Sequence, residues 1–270
     1  MAARTSDNQP LVLVDDHAAI RTLTMNRPAV LNALNKDLLA ALEGAVKTAA
    51  DDAGVRCVII TGAGRAFCTG QDLAELSAQY ECGESVDLGK HLCSAYHPVI
   101  LAIRRMKKPV IAAVNGPAIG AGCSLALACD LRIAGQSASF AASFINVALV
   151  PGSGCTFMLP RLVGLGRAAE MTFTGRKVGA AEALRIGLVD QVVPDGKLLA
   201  ESKKLARRLA DKSAPVLAMI KDAVNASWSS DLETQLKLEE EYQAAAGGMR
   251  DHREAVKAFM EKRPPRFEGR

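Results

Sequence analysis

The chain has 270 residues, 49% of them hydrophobic and 23% charged, with a formal net charge of +4. Such a composition is that of a soluble globular protein with one large or two modest domains. The thinly spread charge gives no electrostatic case for nucleic acid, and no apolar run is long enough to span a bilayer. Seven cysteines, at 57, 68, 82, 93, 123, 129 and 155, form no CxxC pair and no metal-ligand spacing. They read as free thiols in a reducing cytoplasm, and no metal is expected.

Residues 1–9, with no apolar stretch of signal-peptide type, read as a disordered tail. "LVLVDDHAAIRTLTM" reads as two strands joined at Asp15–Asp16–His17. "NRPAVLNAL" is an irregular connection, because Pro28 biases Arg27 away from helix. Asn35 then caps a helix with Leu38, Leu39, Leu42, Val46 and Ala49 at helical spacing, ending at Gly54. "VRCVIITG" is a strand of the kind buried on both faces. "KPVIAAVNG" is another, running into a glycine turn and a helix at 120–129. "DLRIAG" and "GLVDQVV" are further short strands, with helical segments near 155–172 and 180–186. Strands alternating with helices predict an α/β core. After Pro194 four amphipathic helical segments follow, which divides the chain into a core, 1–195, and a helical region, 196–270. The second part is too small to stand alone, and so should pack on the core or on a neighbouring subunit.

Two glycine-rich loops follow two of the strands: "TGAGRAFCTGQDL", 61–73, and "NGPAIGAGC", 115–123. Neither is a phosphate loop or a dinucleotide fingerprint, and either one alone reads as a tight turn. Together they place small residues where a backbone must approach something closely. Two backbone N–H groups from separate loops, one at a helix start, suit an oxyanion on a polarised carbonyl.

"AFCTGQDL", "KPVIAAVNGPAIGAGCSLALACDLRIA", "FINVALVPGSGCTFMLPRLVG" and "AAEALRIGLVDQVV" resemble the crotonase superfamily, the enoyl-CoA hydratase/isomerase family. The resemblance runs from the hairpin near residue 11 to "AFMEKRPPRF" near the end. It implies an α/β spiral of ββα turns with a helical C-terminal trimerisation region, assembled as a homotrimer or hexamer. It implies an acyl-CoA thioester as substrate, with coenzyme A part of that substrate and no cofactor bound permanently. By position, the backbone N–H groups of Gln71 and Ala121 form the oxyanion hole. Coenzyme A would run along Arg27, Ala29, Val30, Ala66, Gly70, Asp72 and Leu73, with Gly120 at the helix start. Asp72 is more often a loop-fixing residue in the family. Phe259 and Lys262, three apart on one helix face, match positions that reach a neighbour's coenzyme A.

The family's carboxylates are missing. Hydratases of the family use two glutamates, and their positions here hold Ser124 and Phe144. The phenylacetate-pathway ring-epoxide isomerase branch, which "YHPVILAIRRMKKPVIAAVNG" and "LETQLKLEEEYQAAAG" resemble more closely, uses an aspartate where Gly152 stands. His97 aligns with a histidine that acts as a base in the dehalogenase branch, against which stands a simple role in packing the helix before Pro98. Glu75, Glu81, Glu84, Asp87 and His91 lie on a segment that walls the pocket in this family, and read as a solvated face. Ser153 and Cys155 are nucleophile types with no base placed beside them. "RRMKK", 104–108, reads as a solvated helix end. Phe144, Val147 and Phe157 suggest an apolar acyl pocket. The expectation is therefore enolate chemistry of the isomerase kind rather than hydration. Three alternatives stand beside it: an acyl-CoA-binding protein without catalysis, a hydratase with a relocated acid and base, and a thioesterase using Ser153 or Cys155.

Overall fold

The structure, a computed structural model, describes residues 9–83 and 85–269. Most of the expected tail, and Glu84, lie outside the described residues. A hairpin opens the chain, β1 (Val12–His17) pairing antiparallel with β2 (Ile20–Met25). Its turn is Ala18–Ala19, not the expected Asp15–His17. Both alanines take left-handed φ, 50° and 65°, the backbone of a two-residue hairpin turn that matches strand twist. The aspartates stay in the ladder, where Asp16 pairs with Arg21 at 2.6 Å.

α1 (Lys36–Asp51) begins as expected, the Asn35 side chain accepting from the Leu38 N–H at 2.9 Å, and buries all five of its periodic apolar residues. β3 (Cys57–Gly62) is buried throughout. Next come α2 (Leu73–Glu81), α3 (Leu88–His91), a π-helical stretch Leu92–Tyr96, and α4 (His97–Arg105). β4 (Val110–Val114), β5 (Pro117–Ile119), α5 (Ala121–Ala128), β6 (Leu131–Gly135) and β7 (Ser139–Ala141) follow. α6 (Cys155–Val163), α7 (Leu165–Thr174), β8 (Val178–Gly179), α8 (Ala180–Arg185) and β9 (Gln191–Val193) complete the α/β part. The large sheet has the order β1-β2-β3-β4-β6-β9, parallel from β2 onward; β5, β7 and β8 form a small second sheet.

Alternate residues of a strand face opposite sides, so a sheet covered on both faces needs continuous apolar strands. On one face Val58, Ile60, Val110 and Ala112 join the main core with α1, α4 and α5. On the other Cys57, Ile59, Ile111 and Ala113 meet Leu198 and Ala206 of α9 (Leu198–Ala210). Although it follows residue 195, α9 thus shares a core with the sheet.

α10 (Ala214–Ala226), α11 (Leu232–Gly247) and α12 (Arg250–Met260) extend beyond it. Lys221 pins α10 down, its Nζ donating to Asp130 at 2.8 Å and to the carbonyls of Ile103 and Lys108. Burial pushes its ammonium below the usual lysine range. The basic run 104–108 is correspondingly less solvated than expected. Arg104 lies over the Trp228 ring at 4.9 Å, and Lys108 donates to the carbonyls of Ala49 and Asp52 at 2.7 and 2.6 Å. Among the described residues, no helix is long and apolar enough to cross a membrane.

The loop after β3 is laid directly against the β4–α5 segment. A Cβ on Gly122 would lie 2.1 Å from the Cys68 carbonyl oxygen, and one on Gly116 2.1 Å from that of Arg65. Both glycines are required by close approach, whereas Gly44, inside α1, has open space around it. Gly122→Ala should therefore cost about 3 kcal/mol or more, and Gly44→Ala should gain up to about 1 kcal/mol from helix propensity. Equilibrium denaturation of the two variants checks both signs.

Of the seven cysteines, only Cys82 and Cys93 are exposed. Burial pushes the thiols of Cys57, Cys68 and Cys129 up to about 12 and that of Cys155 up to about 11. A colorimetric thiol reagent at neutral pH should titrate two groups in the native protein and all seven after denaturation.

Candidate active site

Two asparagines hold the loop after β3 in place. Asn32 is fully buried and left-handed, with φ 57°; its side-chain amide donates to the carbonyls of Ala63 and Ala66 at 2.9 and 2.8 Å. Asn115, at the end of β4, donates to the carbonyls of Gly62 and Gly64 and accepts from the Gly62 N–H at 3.1 Å. Carbonyls that a turn leaves unpaired are thereby satisfied. Single-residue bridges, Leu34 to Gln71 and Cys68 to Ala118, fix the rest of the loop in register.

The result brings Gln71 and Ala121 together. Gly70 packs so closely on the second loop that a Cβ there would lie 2.7 Å from the Ile119 carbonyl oxygen and 3.2 Å from the Ala121 nitrogen. Gly120, with φ 54° and ψ −123°, turns the chain into α5. Neither the Gln71 nor the Ala121 N–H has a protein acceptor among the described residues. Both residues line one cavity of about 240 Å³. The Ala121 N–H also opens α5, where the helix dipole adds positive potential.

That cavity is mainly apolar, walled by Leu88, Leu92, Phe144, Val147, Leu149 and Val150. Its polar members are Thr69, Gln71, His91, Tyr96, Ser143 and Asn146; no carboxylate lines it among the described residues. The π-helical stretch matters here, because its wider turn brings residues five apart onto one side. His91, Leu92 and Tyr96 all reach the cavity. Tyr96 is buried, and burial pushes its phenol well above the usual range.

The three positions at which the resemblance places carboxylates lie as follows. Ser124 is fully buried and donates to the Gly152 carbonyl at 3.1 Å, so its side chain does not line the cavity. Phe144 and Gly152 do line it. A Cβ on Gly152 would meet the two δ-methyls of Leu92 at 3.2 and 3.3 Å. Leu92 therefore fills the space in front of that position.

Of the two roles open to His97, the structure does not place it at the cavity. It is exposed on the first turn of α4 and is not among the cavity residues, because the π-helical stretch turns Tyr96 inward instead. The histidine inside is His91, its ring edge-on to Tyr96 at 5.4 Å. Of its neighbours in sequence, Asp87 caps α3 and Glu81 accepts from Ser77. Phe157 also lies outside the cavity, tilted against Trp228 at 5.4 Å. Ser153 is buried with φ 55° and no hydrogen-bond partner for its hydroxyl, and Cys155 is buried with its thiol held neutral. Neither is presented to a substrate.

The residues expected along coenzyme A are more dispersed. Arg27 pairs with Asp72 at 2.9 Å and donates to the Ala33 carbonyl, while Asp72 caps α2. The pair ties the "NRP" turn to the loop. Ala29 and Val30 are exposed on a short 3-10 turn. Gly70, Leu73 and Gly120 line the cavity. Ala66 is fully buried and offers its carbonyl to Asn32, so its side chain is no contact surface. Phe259 is 82% exposed on α12, whereas Lys262 lies past the end of that helix with φ 53°; the two do not share a helix face. Sequence reasoning passed over Asn32, Asn115 and the π-helical stretch; only the Asn–Gly pair at 115–116 carried a turn signal.

Comparison with known proteins accords with this geometry. The family model for enoyl-CoA hydratase/isomerase matches residues 15–270. The 1,2-epoxyphenylacetyl-CoA isomerase of Escherichia coli is 41% identical over 251 residues, 93% of this chain and 95% of that protein. The crotonyl-CoA hydratase of Syntrophomonas wolfei is 39% identical over 260 residues, 95% of this chain and 97% of that one. The crystal structure of enoyl-CoA hydratase from Bacillus anthracis superposes with a TM-score of 0.90 at 35% identity, covering 96% of this chain and 100% of that chain. Enoyl-CoA hydratase from Mycobacterium smegmatis gives 0.89 at 38% identity, with 96% and 99% covered. By fold and by sequence, this chain belongs to the enoyl-CoA hydratase/isomerase family of the crotonase superfamily.

Proposed function

We propose that the protein binds an acyl-CoA thioester with its carbonyl oxygen between the N–H groups of Gln71 and Ala121, and that it shifts a double bond or rearranges a ring through the thioester enolate. One observation carries the reading: two unpaired backbone donors share a cavity in which no described residue is a carboxylate. When a proton leaves the α-carbon, charge collects on the thioester oxygen, where fixed donors and the α5 dipole stabilise it without reorganisation. Each donor contributes roughly 3–4 kcal/mol of transition-state stabilisation. Addition of water asks for more: a base to activate the water and an acid to protonate carbon. Identity alone does not decide, because an isomerase and a hydratase stand at 41% and 39%. The chemistry of the cavity wall favours the isomerase.

Coenzyme A would leave the cavity past Leu73 toward the exposed turn at Pro28–Val30. The side chains of Leu232, Leu236, Val256, Phe259 and Met260, all exposed on α11 and α12, support assembly with further copies of the chain. A binding protein without turnover is the second reading, favoured by the residues at 124, 144 and 152.

The test follows the absorbance of the conjugated thioester. A 3-enoyl-CoA should gain it and crotonyl-CoA should not lose it; turnover of neither substrate favours the binding protein. Ala121→Pro then tests the hole, since proline at the first helical position removes only an N–H that the helix does not use. Gly120, achiral and already in the mirror image of an extended conformation, accommodates the following proline. The expected loss in kcat is about 10²–10³-fold, with the fold retained by circular dichroism.

A further inference from the structure

His91 stands where two cavities meet. The first is the apolar substrate cavity; the second, about 470 Å³, is lined by Lys36 and Glu43 of α1, Asp72, Glu75 and Gln79 at α2, and Ser94. Gln71 and His91 are the residues common to both. We propose that His91 is the acid–base of the enolate chemistry and that the second cavity is the path by which it exchanges protons with water. The proposal rests on the reading given above.

Three features lead there. First, among the described residues lining the substrate cavity, His91 alone carries a side chain of a type that gains and loses a proton near neutral pH. Tyr96 is held protonated by burial, and its ring, edge-on at 5.4 Å, limits the plane that the imidazole adopts. Second, Leu92 occupies the space in front of Gly152, so the side from which a carboxylate would act is closed. Third, an apolar cavity alone gives a proton nowhere to go. Glu43, Asp72, Glu75 and Lys36 line the second cavity together with His91; Asp72 is engaged by Arg27, and Glu43 by Lys47 at 2.5 Å.

The step balances without any further reactant. A neutral imidazole nitrogen takes the proton from C2 as the C2–H bond breaks, and that electron pair moves into the thioester, placing charge on the oxygen held by Gln71 and Ala121. The imidazolium then gives its proton to C4 while the C2–C3 double bond forms and the carbonyl is restored. The net change is a 1,3 proton shift. Exchange of the imidazolium proton with water through the second cavity competes with that return.

Deuterium incorporation separates this inference from the reading beneath it. In D2O, wild-type protein should exchange the α-protons of phenylacetyl-CoA, a thioester with no double bond to move, as followed by mass spectrometry. His91→Gln should slow exchange by about 100-fold, and His97→Gln should leave it unchanged. Added imidazole should restore part of the rate to His91→Ala. If His91→Gln exchanges and isomerises at the wild-type rate, the assignment to His91 is overturned while the enolate reading stands. If wild-type protein neither exchanges nor isomerises a 3-enoyl-CoA, both are overturned. Ser94→Trp, which fills the second cavity, tests the path: the isomerised product should then carry less deuterium from solvent than the wild-type product. Equal deuterium content overturns the path.

Discussion

The Cα of Gly122 lies so close to the Cys68 carbonyl that even a methyl group would sit 2.1 Å from the oxygen. The site is built on that contact. It brings the first turn of α5 against the loop after β3, with Gly116 against Arg65 as a second point of approach and Asn32 and Asn115 tying the loop's carbonyls from either side. Gln71 and Ala121, fifty residues apart in sequence, consequently line one cavity. The three glycines at 116, 120 and 122 thus have separate causes. Two provide room for another backbone, and Gly120 provides a left-handed φ for the entry into the helix.

The opposite wall is set by a different irregularity. A regular α-helix through 88–105 would advance its inward face by 3.6 residues per turn. The π-helical stretch widens one turn, and His91, Leu92 and Tyr96 enter the cavity together while His97 is left outside. Leu92 then covers Gly152. A larger residue at 152 and the present Leu92 compete for one space, so an apolar residue on one wall and a glycine on the other are a matched pair.

Much of this fold was legible in the sequence wherever a long apolar period coincided with a cap. α1, with Asn35 ahead of five spaced apolar residues, and the buried β3 are such cases. The hairpin turn was not, because Ala18 and Ala19 are unusual residues for left-handed backbone and the adjacent aspartates are the more typical turn formers. Nor were β5, β7 and β8, each of two or three residues, too short to show an alternation. Arg104 and Lys108 look solvated in sequence because nothing local announces that Trp228, or the end of α1, will arrive to cover them. In the site, the meeting of Gln71 and Ala121 at one cavity and the apolar Phe144 and Val147 in its wall were readable, and the inward histidine was not. Main-chain N–H groups follow from loop and helix positions, which motifs record, whereas which histidine faces inward depends on one widened turn that no motif marks.

This division has a chemical consequence. On the proposed reading the two donors at Gln71 and Ala121 are main-chain groups, so the capacity to stabilise an enolate depends on the two loops staying in contact and on both N–H groups being kept, and little on either side chain. The proton carrier has no such protection. It must be a particular side chain at a particular distance, and Ser124, Phe144 and Gly152 stand at the three positions where the resemblance places carboxylates. Each is now absorbed into packing: Ser124 bonds the Gly152 carbonyl, Phe144 walls the cavity and Gly152 admits Leu92. Gln71 and His91 line both this cavity and the polar space between α1 and α2, and of the two only the histidine has a side chain of a proton-carrying type. On the proposed reading, the electrostatic half of catalysis lies in the backbone, and the reaction is decided by where the cavity wall admits a proton.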